Sequence, residues 1–267
     1  MKPMTALLAI GLCVGCLAAP RAANAGLSGI DLSRVEAAPN PDASLPLALL
    51  LQGDLGEPKP LQQWLGSVPA VWILADFTCK TLCGPIVTVV SDALRHSGLR
   101  PGTNFRLIVV GLDPKDTAAD AATMKRAQVG EDDDLFQHTF FLRGNPSGIA
   151  ALANAFGFRA LYDSAHDQFA HPAAAFVVTP AGHVARALSP LALTAADLRL
   201  ALVEAGQGRV GSWADHVRLM CYGFDPASGT YTAAIGRILA FAAALTMLAL
   251  GLFILILFRH EPATPGK

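Results

Sequence analysis

Val71-Trp72-Ile73-Leu74-Ala75-Asp76-Phe77-Thr78-Cys79-Lys80-Thr81-Leu82-Cys83-Gly84-Pro85 joins an unbroken apolar run to two thiols and a proline. An apolar run of this length, bounded by polar residues, is that of a strand buried on both faces. Pro85 suits the first turn of a helix, where its missing N–H costs nothing. The stretch therefore predicts a strand over 70–76, a helix over 85–96, and two cysteines at the junction. Cys79 and Cys83 stand four residues apart, so side chains on the first helical turn would share one face. The positive end of the helix favours thiolate over thiol, and Lys80 adds a second cation. Two such thiolates can exchange with disulfides or clamp a soft metal ion.

Working outward, strand and helix signals alternate. Strands are expected over 47–52, 105–111, 139–143, 173–179 and 183–188, with a turn-rich link over 53–60. Helices are expected over 117–128, 146–156 (stopped by Gly157) and 194–205, the last with Thr194 as its cap. Alternation of this kind, closed by a hairpin and a helix, describes an α/β sandwich, and 45–206 is enough chain for one core. A cysteine pair at the first long βα junction, followed by proline, is the organisation of a thioredoxin-like fold: a central mixed sheet with flanking helices.

The two ends are different. Only 15% of the residues are charged and 52% are hydrophobic, and the apolar excess is terminal. Residues 1–25 read as a secretory signal peptide, with Lys2, an apolar stretch, and Ala23-Asn24-Ala25 as the cleavage site. Cys16 could instead mark a lipoprotein signal, against which Cys13 counts, standing where leucine is expected. Residues 26–44 read as a linker and 207–234 as a connector. Residues 235–258 read as a C-terminal transmembrane helix. The uncharged run 238–258 would rise about 32 Å, enough for a ~30 Å hydrocarbon core. Residues 259–267 would be a cytoplasmic tail. Basic residues on both sides (Arg237; Arg259 and Lys267) leave orientation to the signal peptide. The expected location is the bacterial inner membrane, single-pass, with the domain exported to the periplasm. A net charge of −1 gives no reason to expect nucleic acid as a partner.

Of five cysteines, Cys79, Cys83 and Cys221 would remain in the exported chain, in a compartment where idle pairs oxidise. Soft sulfur selects copper, zinc or iron–sulfur species, and imidazole is a natural third ligand. Among seven histidines, His171, followed by Pro172 and opening a strand, leads. His138, His166 and His183 have similar or weaker claims, and His96 complements a helix dipole. Without a second C-x-x-C, a structural zinc site is not expected. Asp113 and Asp116 read equally as a turn with a helix cap or as groups orienting the site. Glu131-Asp132-Asp133-Asp134 reads as a solvated acidic loop, and Cys221 as a lone thiol.

The ordered set Phe77-Thr78-Cys79-Lys80-Thr81-Leu82-Cys83-Gly84-Pro85, Asp113-Pro-Lys-Asp116-Thr117, Phe141-Leu-Arg-Gly144-Asn-Pro146, Ala155-Phe-Gly157 and His171 before Ala173-Ala-Ala-Phe-Val-Val-Thr-Pro-Ala-Gly182 resembles the Sco/SenC proteins. These are membrane-anchored, thioredoxin-like copper metallochaperones, and the resemblance covers about 45–188. It implies Cys79, Cys83 and His171 as ligands of Cu(I) or Cu(II). It implies delivery of copper to the dinuclear copper centre of cytochrome c oxidase during assembly. The copper-bearing oxidase subunit would be the partner, with a periplasmic copper donor or thiol reductant upstream. On this reading the chain is a carrier rather than an enzyme. The alternative is a thiol–disulfide oxidoreductase using Cys79 and Cys83 as its redox pair. Lys80 stands where the family often has proline, and Ala170 where an aspartate commonly precedes the histidine. The anchor is C-terminal where many members have it N-terminal. Cys221-Tyr-Gly-Phe-Asp225-Pro before it resembles a bacterial subgroup.

Overall fold

A computed structural model describes residues 27, 33–54, 56–79, 83–131, 133–189, 193–207, 222–225, 230–233 and 235–259, without the Cys83 side chain. The signal-peptide reading of 1–25, Cys13 and Cys16, Lys80, Cys221 and the tail beyond Arg259 lie outside the described residues.

Among the described residues the first elements are three short strands, β1 (Glu36–Ala37), β2 (Leu50–Leu51) and β3 (Lys59–Pro60), and a one-turn helix, α1 (Leu61–Leu65). The main sheet comes next. Its strands are β4 (Ala70–Ala75), β5 (Arg106–Gly111), β6 (Thr139–Leu142), β10 (Ala175–Val178) and β11 (Val184–Leu188). They run in the order β11-β10-β4-β5-β6. The pairs β4–β5 and β5–β6 are parallel, whereas β10 is antiparallel to β4 and to β11. Parallel neighbours need crossovers. Helix α2 (Cys83–His96) joins β4 to β5; α3 (Ala118–Val129) and the short α4 (Asp134–Gln137) join β5 to β6. Helix α5 (Pro146–Ala155) follows β6, and α6 (Ala195–Ala205) closes the domain. This is the thioredoxin-like α/β arrangement expected from 45–206.

Alternation along β4 divides the core. Val71, Ile73 and Ala75 pack with Val87, Val90 and Leu94 of α2 and with residues of α3 and α6. Ala70, Trp72 and Leu74 pack on the opposite face with α1 and α5. There the Phe156 and Phe176 rings stack with centroids 4.4 Å apart. Gly157 has φ +57°, and a Cβ at that position would fall 2.0 Å from the Ala38 carbonyl oxygen, so the stop after α5 must be glycine.

Beside β3, α1 and α4, which the sequence did not announce, the fold departs from the sequence expectation in two larger stretches. The stretch between α5 and β10 is not plain loop. It contains β7 (Phe158–Arg159), which pairs with β1, and a hairpin of β8 (Leu161–Asp163) and β9 (Gln168–Ala170). These strands are two or three residues long, below the length at which alternation is legible. The second departure is C-terminal. A hairpin of β12 (Tyr222–Asp225) and β13 (Thr230–Ala233) precedes a helix, α7 (Ile235–Arg259). Among the described residues, no helix is long and apolar enough to cross a membrane. The transmembrane part of the expected fold class is corrected accordingly.

Candidate metal and thiol site

The site lies where β4 and β5 end and β10 begins. Beyond β4, Asp76 is completely buried. A buried carboxylate is costly unless donors surround it, and here three do. Its Oδ1 accepts from the Thr78 N–H (3.0 Å) and the Thr78 hydroxyl (2.9 Å), and its Oδ2 from the Phe169 N–H of β9 (3.1 Å). The Cys79 N–H donates to the Asp76 carbonyl at 3.3 Å. The turn that presents Cys79 is therefore fixed from within and tied across the fold to β9. Cys79 itself is half-buried against the core. Cys83 opens α2, whose first turn contains no acidic residue.

A second carboxylate braces the same turn. Asp116 Oδ2 accepts from the Phe77 N–H at 3.4 Å, and Phe77 packs on Phe141 with ring centroids 5.4 Å apart. Burial, with Asp76 and Asp113 nearby, pushes the Asp116 carboxyl up to about 7. Its Oδ1 is buried without a hydrogen-bond partner. A Cβ at residue 111 would lie 2.6 Å from Asp116 Oδ2, so Gly111 makes room for this approach. Asp116 is not the cap of α3: Thr117 caps it, in a reciprocal box with Asp120. Of the two readings of Asp116, the site-orienting one fits. Asp113 Oδ1 accepts from the Lys115 N–H at 2.8 Å, a turn role.

His171 arrives from the other direction. Because β10 is antiparallel to β4, with Ala175 opposite Ile73 and Val178 opposite Ala70, the chain entering β10 lies at the Cys79 end of β4. The β8–β9 hairpin is held there by the Asp76–Phe169 bond and by Asp167, which bonds both Lys115 and the Tyr162 hydroxyl. The Lys115 ammonium also lies over the Tyr162 ring, 5.4 Å from its centroid. His171 Nδ1 lies 3.0 Å from the Pro172 carbonyl oxygen. Donation from Nδ1–H leaves the lone pair on Nε2. Burial holds the His171 pKa below the ordinary histidine value, with the Pro172 carbonyl and the Asp76 charge opposing. The imidazole is thus neutral, the form that ligates metals.

Of the predicted trio, Cys79 and His171 come to one end of the sheet, and the Cys83 backbone begins the adjoining helix. Among the described residues, no group of three His, Cys, Asp or Glu side chains is arranged to hold a metal ion; the Cys83 side chain is outside that set. The other described histidines stand apart from this site. His166 Nδ1 pairs with Asp163 (2.7 Å), while His138 and His96 bond carbonyls of their own helices, and His183 is exposed in its hairpin. In the acidic run, Asp133 caps α4 and pairs with Arg95 at 2.5 Å, and Glu131 pairs with Arg126 at 3.5 Å.

Sequence reasoning missed Asp76 and Gln168. Gln168 Oε1 lies 4.0 Å from Cys79 Sγ. A carboxylate ending a fully apolar strand was the available signal for Asp76. Nothing in spacing points from Cys79 to Gln168, 89 residues on.

Residues 67–204 match the family model of SCO1/SenC. Among solved structures, the chain is similar to a SCO1/SenC family lipoprotein from Bacillus anthracis (14% identity, 63% of this chain and 99% of that one, TM-score 0.53). It is also similar to BsSco, a member of the Sco family of cytochrome c oxidase assembly proteins in which a disulfide switch was identified (19%, 64% and 98%, TM-score 0.51). Bradyrhizobium japonicum ScoI, whose structure holds copper, aligns at 18% identity over 60% and 96%, with TM-score 0.48. No curated protein matches the chain.

Proposed function

The chain belongs to the SCO1/SenC family, and from that premise we propose that it is a copper metallochaperone whose Cys79, Cys83 and His171 hold one copper ion. It passes that ion, by ligand exchange, to the copper-bearing subunit of cytochrome c oxidase for the dinuclear copper centre. The domain works on the exported, periplasmic side of the bacterial inner membrane, where a copper donor or thiol reductant keeps the pair loaded or reduced.

The donor chemistry fits copper. Thiolate sulfur selects soft ions such as Cu(I), and neutral imidazole binds Cu(I) and Cu(II) alike. Because burial keeps His171 neutral, protons compete little for its lone pair near neutral pH. The single observation that carries the reading is the clasp at Asp76, which bonds both the Cys79 turn and the strand leading to His171.

A second reading rests on the first turn of α2, which has no acid to offset its positive end. There the pair can act as a thiol–disulfide oxidoreductase: one sulfur attacks a partner disulfide, and the other resolves the mixed disulfide. The partner gains two electrons and two protons, and the Cys79–Cys83 pair becomes a disulfide.

Copper titration of the reduced full chain separates the two. The expected result is one Cu(I) per chain, with His171→Ala weakening binding by about 10-fold or more while disulfide exchange persists. Unchanged copper affinity in His171→Ala removes His171 from the ligand set. Absence of copper binding in the reduced chain refutes the metallochaperone reading and leaves thiol exchange.

A further inference from the structure

We propose that the Gln168 carboxamide oxygen is a fourth donor to copper at Cys79, Cys83 and His171, one that serves Cu(II) and not Cu(I). This rests on the metallochaperone reading and adds to it a residue that distinguishes the two oxidation states.

The first observation is distance. Gln168 Oε1 stands 4.0 Å from Cys79 Sγ. Bonds from a first-row dication to thiolate and to oxygen, about 2.3 Å and 2.0–2.2 Å, span about 4.4 Å end to end. One ion therefore touches both atoms in a bent arrangement without moving either residue. A hydrogen bond from sulfur, by contrast, is weak at that separation.

The second is anchoring. Gln168 pairs with Asp163 in the β8–β9 hairpin, and the next residue, Phe169, donates its N–H to Asp76 at 3.1 Å. The base of the Gln168 side chain is thus tied to the same carboxylate that fixes the Cys79 turn. Three residues on, the same chain supplies His171, so both donors ride on one clasped segment.

The third is surroundings. A cavity of about 360 Å³ opens beside the site, lined by Thr78, Asp113, Lys115, His166, Asp167 and Gln168. Its cation, Lys115, is drawn to Asp113 (3.6 Å) and Asp167. Gln168 is left as the neutral oxygen facing the sulfur. Copper sites built from sulfur and imidazole accept a weak oxygen donor such as glutamine, and oxygen favours Cu(II) whereas thiolate favours Cu(I).

The test compares full-length wild type, Gln168→Leu and Gln168→Glu, each reduced, then loaded with a Cu(II) salt or with Cu(I) in competition with a chromophoric chelator. Expected for Gln168→Leu is an altered Cu(II) electron paramagnetic resonance spectrum and about 10-fold weaker Cu(II) binding. Its Cu(I) affinity should change by less than about 3-fold, equivalent to under ~1 kcal/mol. A tenfold loss confined to Cu(II) raises the copper midpoint potential by about 59 mV. Gln168→Glu, which keeps an oxygen, should retain Cu(II). If the Gln168→Leu spectrum superimposes on that of wild type, Gln168 only accepts a bond from sulfur and the proposal is wrong. If wild type binds copper in neither state, the metallochaperone reading itself has failed. That outcome is distinct, since the first leaves wild type loaded.

Discussion

Two junctions at the same end of the sheet, β4 to α2 and β5 to α3, are secured in opposite ways. The second is closed locally: across the first turn of α3 the Asp120 N–H donates to the Thr117 hydroxyl, and the Asp120 carboxylate accepts from the Thr117 N–H. At the first junction, α2 begins with Cys83-Gly84-Pro85 and has no acid in its first turn. Its preceding turn is held by Asp76, by Asp116 from the neighbouring junction, and by Phe169 from β9. The carboxylates that could have capped the helix stand behind the turn instead. The junction that carries the two cysteines thus has no acid in its first helical turn, where one would suppress thiolate, and the turn before it draws its rigidity from remote elements.

The sharpest way to break this contrast is Asp76→Ala. It leaves the part-buried Thr78 and Phe169 N–H groups without their acceptor, and the expected cost is about 2 kcal/mol, read as a lowered midpoint in urea unfolding. A shift under ~1 kcal/mol would mean the turn does not depend on its remote brace. Thr117→Ala should cost only about 1 kcal/mol in the same measurement. It should leave copper binding unchanged, because the α3 cap is local; a loss of copper affinity would show that the junctions are coupled.

The remaining expected effect is a pH dependence. Asp116 has its carboxyl pushed up to about 7 from an ordinary 3.8, so between these values the folded chain holds a proton that the unfolded chain has released. The stability this proton lends is complete below about pH 4 and is lost as pH rises through about 7. Asp116→Asn, which keeps the oxygen that accepts from Phe77, should gain on wild type steadily across that window and then level off. His171, with its lowered pKa, contributes with the opposite sign, its stability being present above about 6.5 and lost as pH falls. The difference between variant and wild type therefore isolates Asp116. A difference flat from pH 4 to 8 would show that Asp116 titrates like a surface carboxylate.

Much of the framework was readable because its signals are local. The run Val71 to Ala75 could only be a doubly buried strand, and Thr194 and Pro146 mark helix starts that the structure keeps. The β8–β9 hairpin was not readable, since strands of three residues carry too little alternation to stand out. The apolar C-terminal run was legible as a helix, and α7 is one. The membrane span expected there is not what the described residues provide.

Residue identity alone determined the chemistry available: two thiols four apart at a strand-to-helix junction, and histidine as the natural third donor. It also determined the α/β class, because apolar runs, caps and turns act over a few residues. Only the tertiary structure decided which distant groups meet Cys79. Antiparallel pairing of β10 with β4 brings in the segment of His171, and the buried Asp76 carboxylate, needing donors from wherever the fold supplies them, binds that segment to the cysteine turn and sets Gln168 beside the sulfur.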